Sequence, residues 1–178
     1  MMFNEQSIKA SNRKANNILY LFMVIGVIPL LCILVIYYKN PDNSLLQSIA
    51  TSTESIPSIT SSYNPLMTKV MDIYCKIAPF FAFILFVTTF KIRKFIKKLD
   101  RKKPIKACVL SPLFYAVAIY LLYIRNFDLM TSGRARLMAD NNINLFIFYS
   151  ILYLSVFFIA YAFFYLPVVA YRLFKERQ

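Results

Sequence analysis

The chain has 178 residues, of which 59% are hydrophobic and 17% aromatic, and its formal net charge is +13. A soluble domain is usually about 45–50% apolar, so this excess favours a protein that exposes apolar surface to lipid. The sequence contains no histidine, which excludes histidine-based catalytic triads and histidine metal ligands. Because the cations lie at the ends of apolar runs, they favour contact with lipid headgroups over nucleic-acid binding.

The first predicted membrane span covers residues 18–38, which carry no charged side chain. As a helix this stretch would extend about 31 Å, enough to cross a hydrocarbon core of roughly 30 Å. A polar connection rich in serine and threonine follows at residues 39–69. We expect this connection to lie in the periplasm, with a short helix after Pro41 and little other clear structure.

The second predicted span covers residues 70–90, but only residues 77–90 are fully apolar, which is too short to cross alone. The span must therefore include Asp72 and Lys76, whose i,i+4 spacing lets them pair on one helical face. Two interpretations of this pair are open. It is either an ion pair at the periplasmic interface, with the lysine reaching the headgroups, or a contact point for a partner that enters from that side.

A dense run of cations, residues 91–106, separates the second span from the third and holds nine of the 21 lysine and arginine residues. Each cation costs about 2.5–3.5 kcal/mol at the bilayer centre, and short loops rich in them stay in the cytoplasm. Apolar residues recur at helical spacing in this run, which predicts an amphipathic helix over 91–103 on the inner leaflet. The predicted topology determinants are Lys91, Arg93, Lys94, Lys97, Lys98, Arg101, Lys102 and Lys103.

The third predicted span covers residues 107–124, and the fourth covers about 145–167 with an apolar run that continues to Tyr171. The connection between them, residues 125–144, is expected in the periplasm. Each span contains one proline, which either shapes the helix within the bundle or opens a groove for a foreign helix. The four prolines are Pro29, Pro79, Pro112 and Pro167.

The distribution of charge predicts the orientation. The head, the basic run and the tail carry 15 cations against three acids, whereas the two periplasmic connections carry five cations against four acids. Lysine and arginine accumulate on the cytoplasmic side of a membrane. The sequence therefore predicts an all-α integral membrane protein, a single membrane domain built as a bundle of four transmembrane helices with both termini cytoplasmic.

Chemistry beyond binding has little support in the sequence. Phosphate-binding loops, serine-hydrolase elbows and zinc motifs are absent, so we predict no enzyme, no cofactor and no metal site. Hydroxyl and aromatic side chains within the spans either pack inside the bundle and anchor it, or offer hydrogen bonds and rigid surface to a helical partner. The candidate contacts with such a partner are Asp72, Lys76, Tyr115, Ser111, Tyr149 and Tyr153.

Several segments are similar to a known family: NRKANN at 12–17, IPLLCI at 28–33, PSITSSYNPLMTKVMDIYCK at 57–76, FKIRK at 90–94, LSPL at 110–113 and RLMA at 136–139. They resemble the immunity proteins that protect bacteria from pore-forming colicins of the A group, especially those against colicin A and its nearest relatives. The resemblance implies a four-helix protein of the bacterial inner membrane with both termini in the cytoplasm. It also implies binding to the hydrophobic helical hairpin of the pore-forming domain of a cognate colicin, which blocks channel opening. The four spans alone would also allow a small transporter or channel component.

Overall fold

The computed structural model describes residues 5–93, 102–131 and 133–175. The chain is mostly helical over these ranges. The helices are α1 (Glu5–Lys39), α2 (Ser44–Ser52), α3 (Pro65–Cys75), α4 (Ala78–Phe90), α5 (Lys102–Ile119), α6 (Arg136–Ala139) and α7 (Asn142–Lys175). A π-helical turn, Tyr120–Ile124, extends α5, and a 3-10 turn covers Leu129–Thr131. The short helix predicted after Pro41 is confirmed as α2.

Three helical segments of the described chain are long and apolar enough to cross a membrane: Gln6–Lys39, Pro65–Phe90 and Asn142–Tyr171. A fourth apolar helical stretch, Cys108–Ile124, is shorter. Between 22% and 39% of the most apolar window of each long segment is buried inside the protein. Most of this apolar surface therefore faces outward, as contact with lipid requires.

The structure divides the predicted second span between two helices. Helix α3 ends at Cys75, Lys76 and Ile77 form a turn, and α4 begins at Ala78. Pro79 has no N–H, so it cannot donate a hydrogen bond to the carbonyl of Cys75 one helical turn earlier. The break follows from this missing donor, and it leaves Lys76 at the junction between α3 and α4.

Helix α7 is the centre of the packing, because it contacts α1, α3, α4 and α5. Helices α3 and α4 run in the same direction as α7. Cys75 Sγ, at the end of α3, lies 3.4 Å from the carbonyl oxygen of Tyr149 in α7. Later in the sequence, Thr89 Oγ1 of α4 lies 3.3 Å from the hydroxyl of Tyr161, which is also later in α7, so the residue numbers rise together.

Helix α1 runs in the opposite direction to α7. Tyr37, near the end of α1, and Asn142, at the start of α7, both form hydrogen bonds with Asn64. Farther from that end, Gly26 of α1 lies against the ring of Tyr153. The two helices therefore meet along their length with their starts at opposite ends.

Helix α5 also runs opposite to α7, and α7 is its main packing partner. The ring of Tyr115 stacks on Phe163 with the ring centroids 4.6 Å apart. Nearer the end of α5, Leu122 and Val156 line the same small cavity. The packing of α5 is thus one-sided.

Two short strands join the connections at one end of the molecule. Strand β1 (Ile59–Thr60) pairs in parallel with β2 (Phe127–Asp128), with Ile59 opposite Phe127 and Thr60 opposite Asp128. We call residues 40–64 the first connection and residues 125–141 the second connection. The all-α prediction left this pair out, because strands of two residues are too short for an alternating pattern and depend on a partner distant in sequence.

At the other end of the molecule, Lys91 and Ile92 form a turn after α4. Most of the predicted amphipathic helix over 91–103, namely residues 94–101, lies outside the described residues.

Candidate functional site

Asp72 and Lys76 form an ion pair at the end of α3. The ammonium of Lys76 also donates to the carbonyl oxygen of Pro57 in the first connection. Their side chains are 0% and 7% exposed respectively. Buried charges need such partners, because the cost of removing them from water is several kcal/mol per ion. The predicted pairing is confirmed, and Lys76 reaches inward to Pro57 instead of outward to headgroups.

A set of hydrogen bonds runs between the two connections. The N–H of Ser58 donates to Asn126 Oδ1 at 2.8 Å, and the N–H of Phe127 donates to the carbonyl of Ser58 at 3.1 Å. The N–H of Ser62 donates to Asp128 Oδ1 at 3.2 Å, and its hydroxyl donates to the other carboxylate oxygen. The two connections are therefore held as one unit, which we call the joined connections.

The carboxylate of Asp128 is stabilised in its charged form by these bonds. The hydroxyl of Ser62 lowers the pKa of Asp128 from its ordinary value of 3.8, with further help from the N–H of Met130. Hydrogen bonds to a carboxylate favour the ionised state, whereas burial would oppose it. Asp128 therefore stays charged and bonded at neutral pH.

Contacts with the helices fix the joined connections to the rest of the protein. The hydroxyl of Tyr149 in α7 donates to the carbonyl of Ile59 at 2.7 Å. The ammonium of Lys69 in α3 donates to the carbonyl of Ile56 at 2.6 Å. The hydroxyl of Tyr123, in the π-helical turn, donates to the carbonyl of Lys76 at 2.5 Å, which ties the end of α5 to the residue that binds Pro57 in the first connection. Helices α3, α5 and α7 thus all contribute to one site.

Tyr153 lies deeper along α7 within a stack of aromatic rings. Its ring centroid is 5.3 Å from that of Tyr74 and 6.3 Å from that of Phe157. A Cβ atom added at Gly26 would lie only 2.5 Å from the Tyr153 ring, so α1 needs glycine there to approach α7 this closely. The hydroxyl of Tyr74 donates to the carbonyl of Gly26 at 2.8 Å.

The six predicted contact residues fall into two groups. One group lies between α3 and α7 and consists of Asp72, Lys76, Tyr149 and Tyr153. Of these, Asp72, Tyr149 and Tyr153 are fully buried. Ser111 and Tyr115 lie apart on α5, where the hydroxyl of Ser111 donates to the carbonyl of Cys108 at 3.1 Å within the same helix. Their role in contacting a partner stays a prediction.

Sequence reasoning missed the residues that join the connections. Ser58 and Ser62 belong to a serine-rich stretch without periodicity, and Asn126 and Asp128 follow the third span directly. The available signal was a group of side chains that readily bond to nearby backbone. The hydrogen bonds that these residues form hold the two connections together. The described part of the chain has no group of three or more metal-ligating side chains.

Arg93, one of the predicted topology determinants, has specific contacts at the opposite end. Its guanidinium carbon lies 5.8 Å from the ring centroid of Tyr161 and 5.4 Å from that of Tyr165. Its Nη2 donates to Asn16 Oδ1 at 2.9 Å, which ties α1 to the end of α4. Of the other determinants, Lys91 is exposed, Lys102 and Lys103 begin α5, and Lys94, Lys97, Lys98 and Arg101 lie outside the described residues.

Comparison with known proteins identifies the family. The family model for colicin immunity proteins matches residues 42–178 of the chain. The chain belongs to this family. The colicin-A immunity protein of Citrobacter freundii is 61% identical over 178 residues, which cover 99% of this chain and 100% of that protein. The colicin-B immunity protein of Escherichia coli is 39% identical over 171 residues, 96% of this chain and 98% of that protein.

No solved structure matches the chain significantly. The part of the chain that matches the colicin immunity family begins inside the first connection and contains β1, β2 and α2 to α7. The residues that join the two connections and the Asp72–Lys76 ion pair therefore lie within the matched region.

Proposed function

We propose that the chain protects the bacterium that carries it by binding the pore-forming domain of a cognate colicin in the inner membrane and preventing the channel from opening. The observation that carries this proposal is the 61% identity to a colicin-A immunity protein over nearly the whole of both chains. The helices of the chain expose apolar surface along most of their length, which supports an encounter with the toxin within the bilayer.

We further propose four spans with both termini in the cytoplasm. The alternating directions of α1, α3–α4, α5 and α7 support this topology, as does the concentration of cations in the head, the basic run and the tail of the sequence. The shorter stretch Cys108–Ile124 would extend about 26 Å as a helix. It approaches the hydrocarbon thickness of roughly 30 Å.

In this orientation the joined connections face the periplasm, from which a colicin arrives. Asp72 and Tyr149 are buried and bonded, so we propose that they act by holding the joined connections in the shape that the toxin meets. Ser111 is buried and Tyr115 stacks on Phe163 of α7, so we propose that these two residues position α5, whose exposed apolar surface meets the toxin's hydrophobic hairpin.

Selectivity between colicins needs several contacts acting together. Rejection of a wrong colicin by a factor of a thousand corresponds to about 4 kcal/mol. Polar contacts between helices in lipid average about 0.6 kcal/mol each, so no single hydrogen bond accounts for a thousandfold rejection. Confinement of both partners to one membrane raises their effective concentration, and clashes with the wrong toxin add discrimination.

A protection assay tests the proposal. Cells that express the chain are challenged with purified colicin A, colicin B, other pore-forming colicins and one nuclease colicin. We expect survival against at least one pore-forming colicin and full sensitivity to the nuclease colicin. Sensitivity to every pore-forming colicin tested, together with a new solute flux, would instead support a transporter or channel component.

The orientation has its own test. Reporter fusions that are active only in the cytoplasm are placed after Lys91, and fusions active only in the periplasm are placed after Asn43 and Arg134. We expect activity at all three sites. The opposite pattern, with inactive reporters of both kinds, would show that the protein is inserted the other way round.

A further inference from the structure

A groove with a volume of about 350 Å³ runs between α5 and α7. Its walls are apolar side chains of the two helices, among them Val117 and Leu121 of α5 and Leu152 of α7. Ile59 of β1 and Phe127 of β2 close it at the end where the joined connections lie. We call it the α5–α7 groove.

Among the described residues that line the α5–α7 groove, Arg125, at the closed end, is the one that carries a charge. The side chain is exposed, and its guanidinium carbon lies 5.7 Å from the ring centroid of Phe127. Among the described residues, no acceptor forms a hydrogen bond or ion pair with this guanidinium. The guanidinium of Arg125, which has five N–H donors, therefore lies at the end of an apolar groove and is available to bind an anion.

The π-helical turn Tyr120–Ile124 lies where α5 reaches the closed end. Such turns insert an extra residue into a helix and are frequent at functional sites. The residue that follows, Arg125, has an extended backbone, and Phe127 two residues later enters β2. This local geometry brings Leu121 and Leu122 into the wall of the groove and the guanidinium to its end.

We propose that the α5–α7 groove binds one membrane phospholipid, with an acyl chain along α5 and α7 and the phosphate paired with Arg125. Apolar walls match the chain, and a free guanidinium at the groove end matches the phosphate, with which arginine forms bidentate charge-assisted bonds. The bound chain covers Phe114, Val117 and Leu121, which α7 leaves exposed.

A second groove in the same protein provides a comparison. It lies between α1 and α7, has a volume of about 390 Å³ and is lined by Val24, Val27 and Leu31 together with other apolar side chains. None of the described residues that line it is charged. Because it offers acyl chains a similar volume without a partner for phosphate, lipid there should exchange freely.

Native mass spectrometry of the purified protein in mild detergent with added phosphatidylglycerol tests this site. We expect wild type to retain one phosphatidylglycerol and Arg125→Gln to retain it at least tenfold less. Arg134→Gln, which removes an exposed cation elsewhere in the second connection, should retain as much as wild type. Diacylglycerol has the same chains without phosphate, so wild type should retain it at least tenfold less.

Substitutions that fill one groove or the other with a larger side chain show which groove holds the phospholipid. Val117→Phe should lower phosphatidylglycerol retention, whereas Val24→Phe in the α1–α7 groove should leave it unchanged. Equal retention by wild type and Arg125→Gln, or equal retention of diacylglycerol, would overturn the proposal even if Val117→Phe fails to fold. If Arg125→Gln kept the phospholipid but lost protection against a colicin, the groove would belong to the toxin. The lipid measurement uses no colicin, so it is independent of the proposed function.

Discussion

The two sides of α7 differ in how they are packed. On one side α1, α3 and α4 bury large side chains completely, including Leu30, Leu85 and Tyr153. On the other side α5 leaves most of its apolar surface open, with Val109 73% and Leu113 64% exposed. We call these the packed side and the open side.

This difference shows what holds helices together in lipid. Burial of apolar surface gives little advantage there, because lipid is as apolar as leucine, so close packing and polar contacts decide. The packed side has both, through Gly26 against Tyr153 and the buried ion pair Asp72–Lys76. The open side has mainly the stacking of Tyr115 on Phe163. We therefore expect substitutions on the packed side to affect folding strongly and those on exposed positions of α5 to affect it little.

The largest effect is expected for Lys76→Leu. It leaves the buried carboxylate of Asp72 without its partner, which typically costs about 3–5 kcal/mol of unfolding free energy. The measurement is unfolding in detergent followed by circular dichroism, and protection at equal protein level should fall as well. Lys39→Leu, at an exposed lysine of α1, is the control and should change little.

The swapped pair Asp72→Lys with Lys76→Asp sharpens this test. It keeps opposite charges on one helical face, so part of the lost stability and protection should return. Full stability of the Lys76→Leu variant would show that the ion pair does not hold the first connection.

The next effect is expected for Gly26→Ala. Overpacking costs about 1–3 kcal/mol, and contacts of 2.5 Å with a buried ring belong at the upper end of that range. The loss exceeds the gain of about 1 kcal/mol that alanine brings to a helix. Gly133→Ala is the matched control, since a Cβ there meets no atom within 4 Å. Equal unfolding midpoints for the two variants would mean that α1 and Tyr153 separate without cost.

A smaller effect is expected for Tyr149→Phe. The variant keeps the ring but removes the hydroxyl that donates to the carbonyl of Ile59, which costs about 1 kcal/mol. Tyr120→Phe removes a hydroxyl from an exposed tyrosine of the open side and should be neutral. Hydrogen exchange at residues 59–61 should become faster only in the first variant, and unchanged exchange would argue against this attachment.

The smallest effect is expected from acid at Asp128. Because the pKa of Asp128 is lowered in the folded protein, its bonds with Ser62 contribute stability above pH 3.8. That contribution is lost as the pH falls below 3.8 through the folded pKa. Melting temperatures measured from pH 5.5 to 3 should decline less in Asp128→Asn than in wild type. Parallel declines in the two proteins would assign the acid sensitivity to other groups.

Much of the fold follows from local patterns in the sequence. The apolar runs predicted four spans, and in the described residues three helical segments are long and apolar enough to cross a membrane, whereas the fourth, Cys108–Ile124, is shorter. The i,i+4 spacing of Asp72 and Lys76 predicted their ion pair. The spacing did not reveal that Lys76 also binds Pro57. That bond depends on how the first connection folds back over α3, which no local period encodes.

By itself the sequence determined the apolar helices and the sorting of cations toward particular segments, because composition and helical period act within a few turns of the chain. The resemblance to colicin immunity proteins came from matching segments such as residues 57–76. Only the tertiary structure decided that β1 pairs with β2, that Tyr149 fixes the joined connections, and that α5 borders an open groove ending at Arg125. These features bring together residues far apart in the sequence, and their free energy comes from contacts that exist only once the helices have packed.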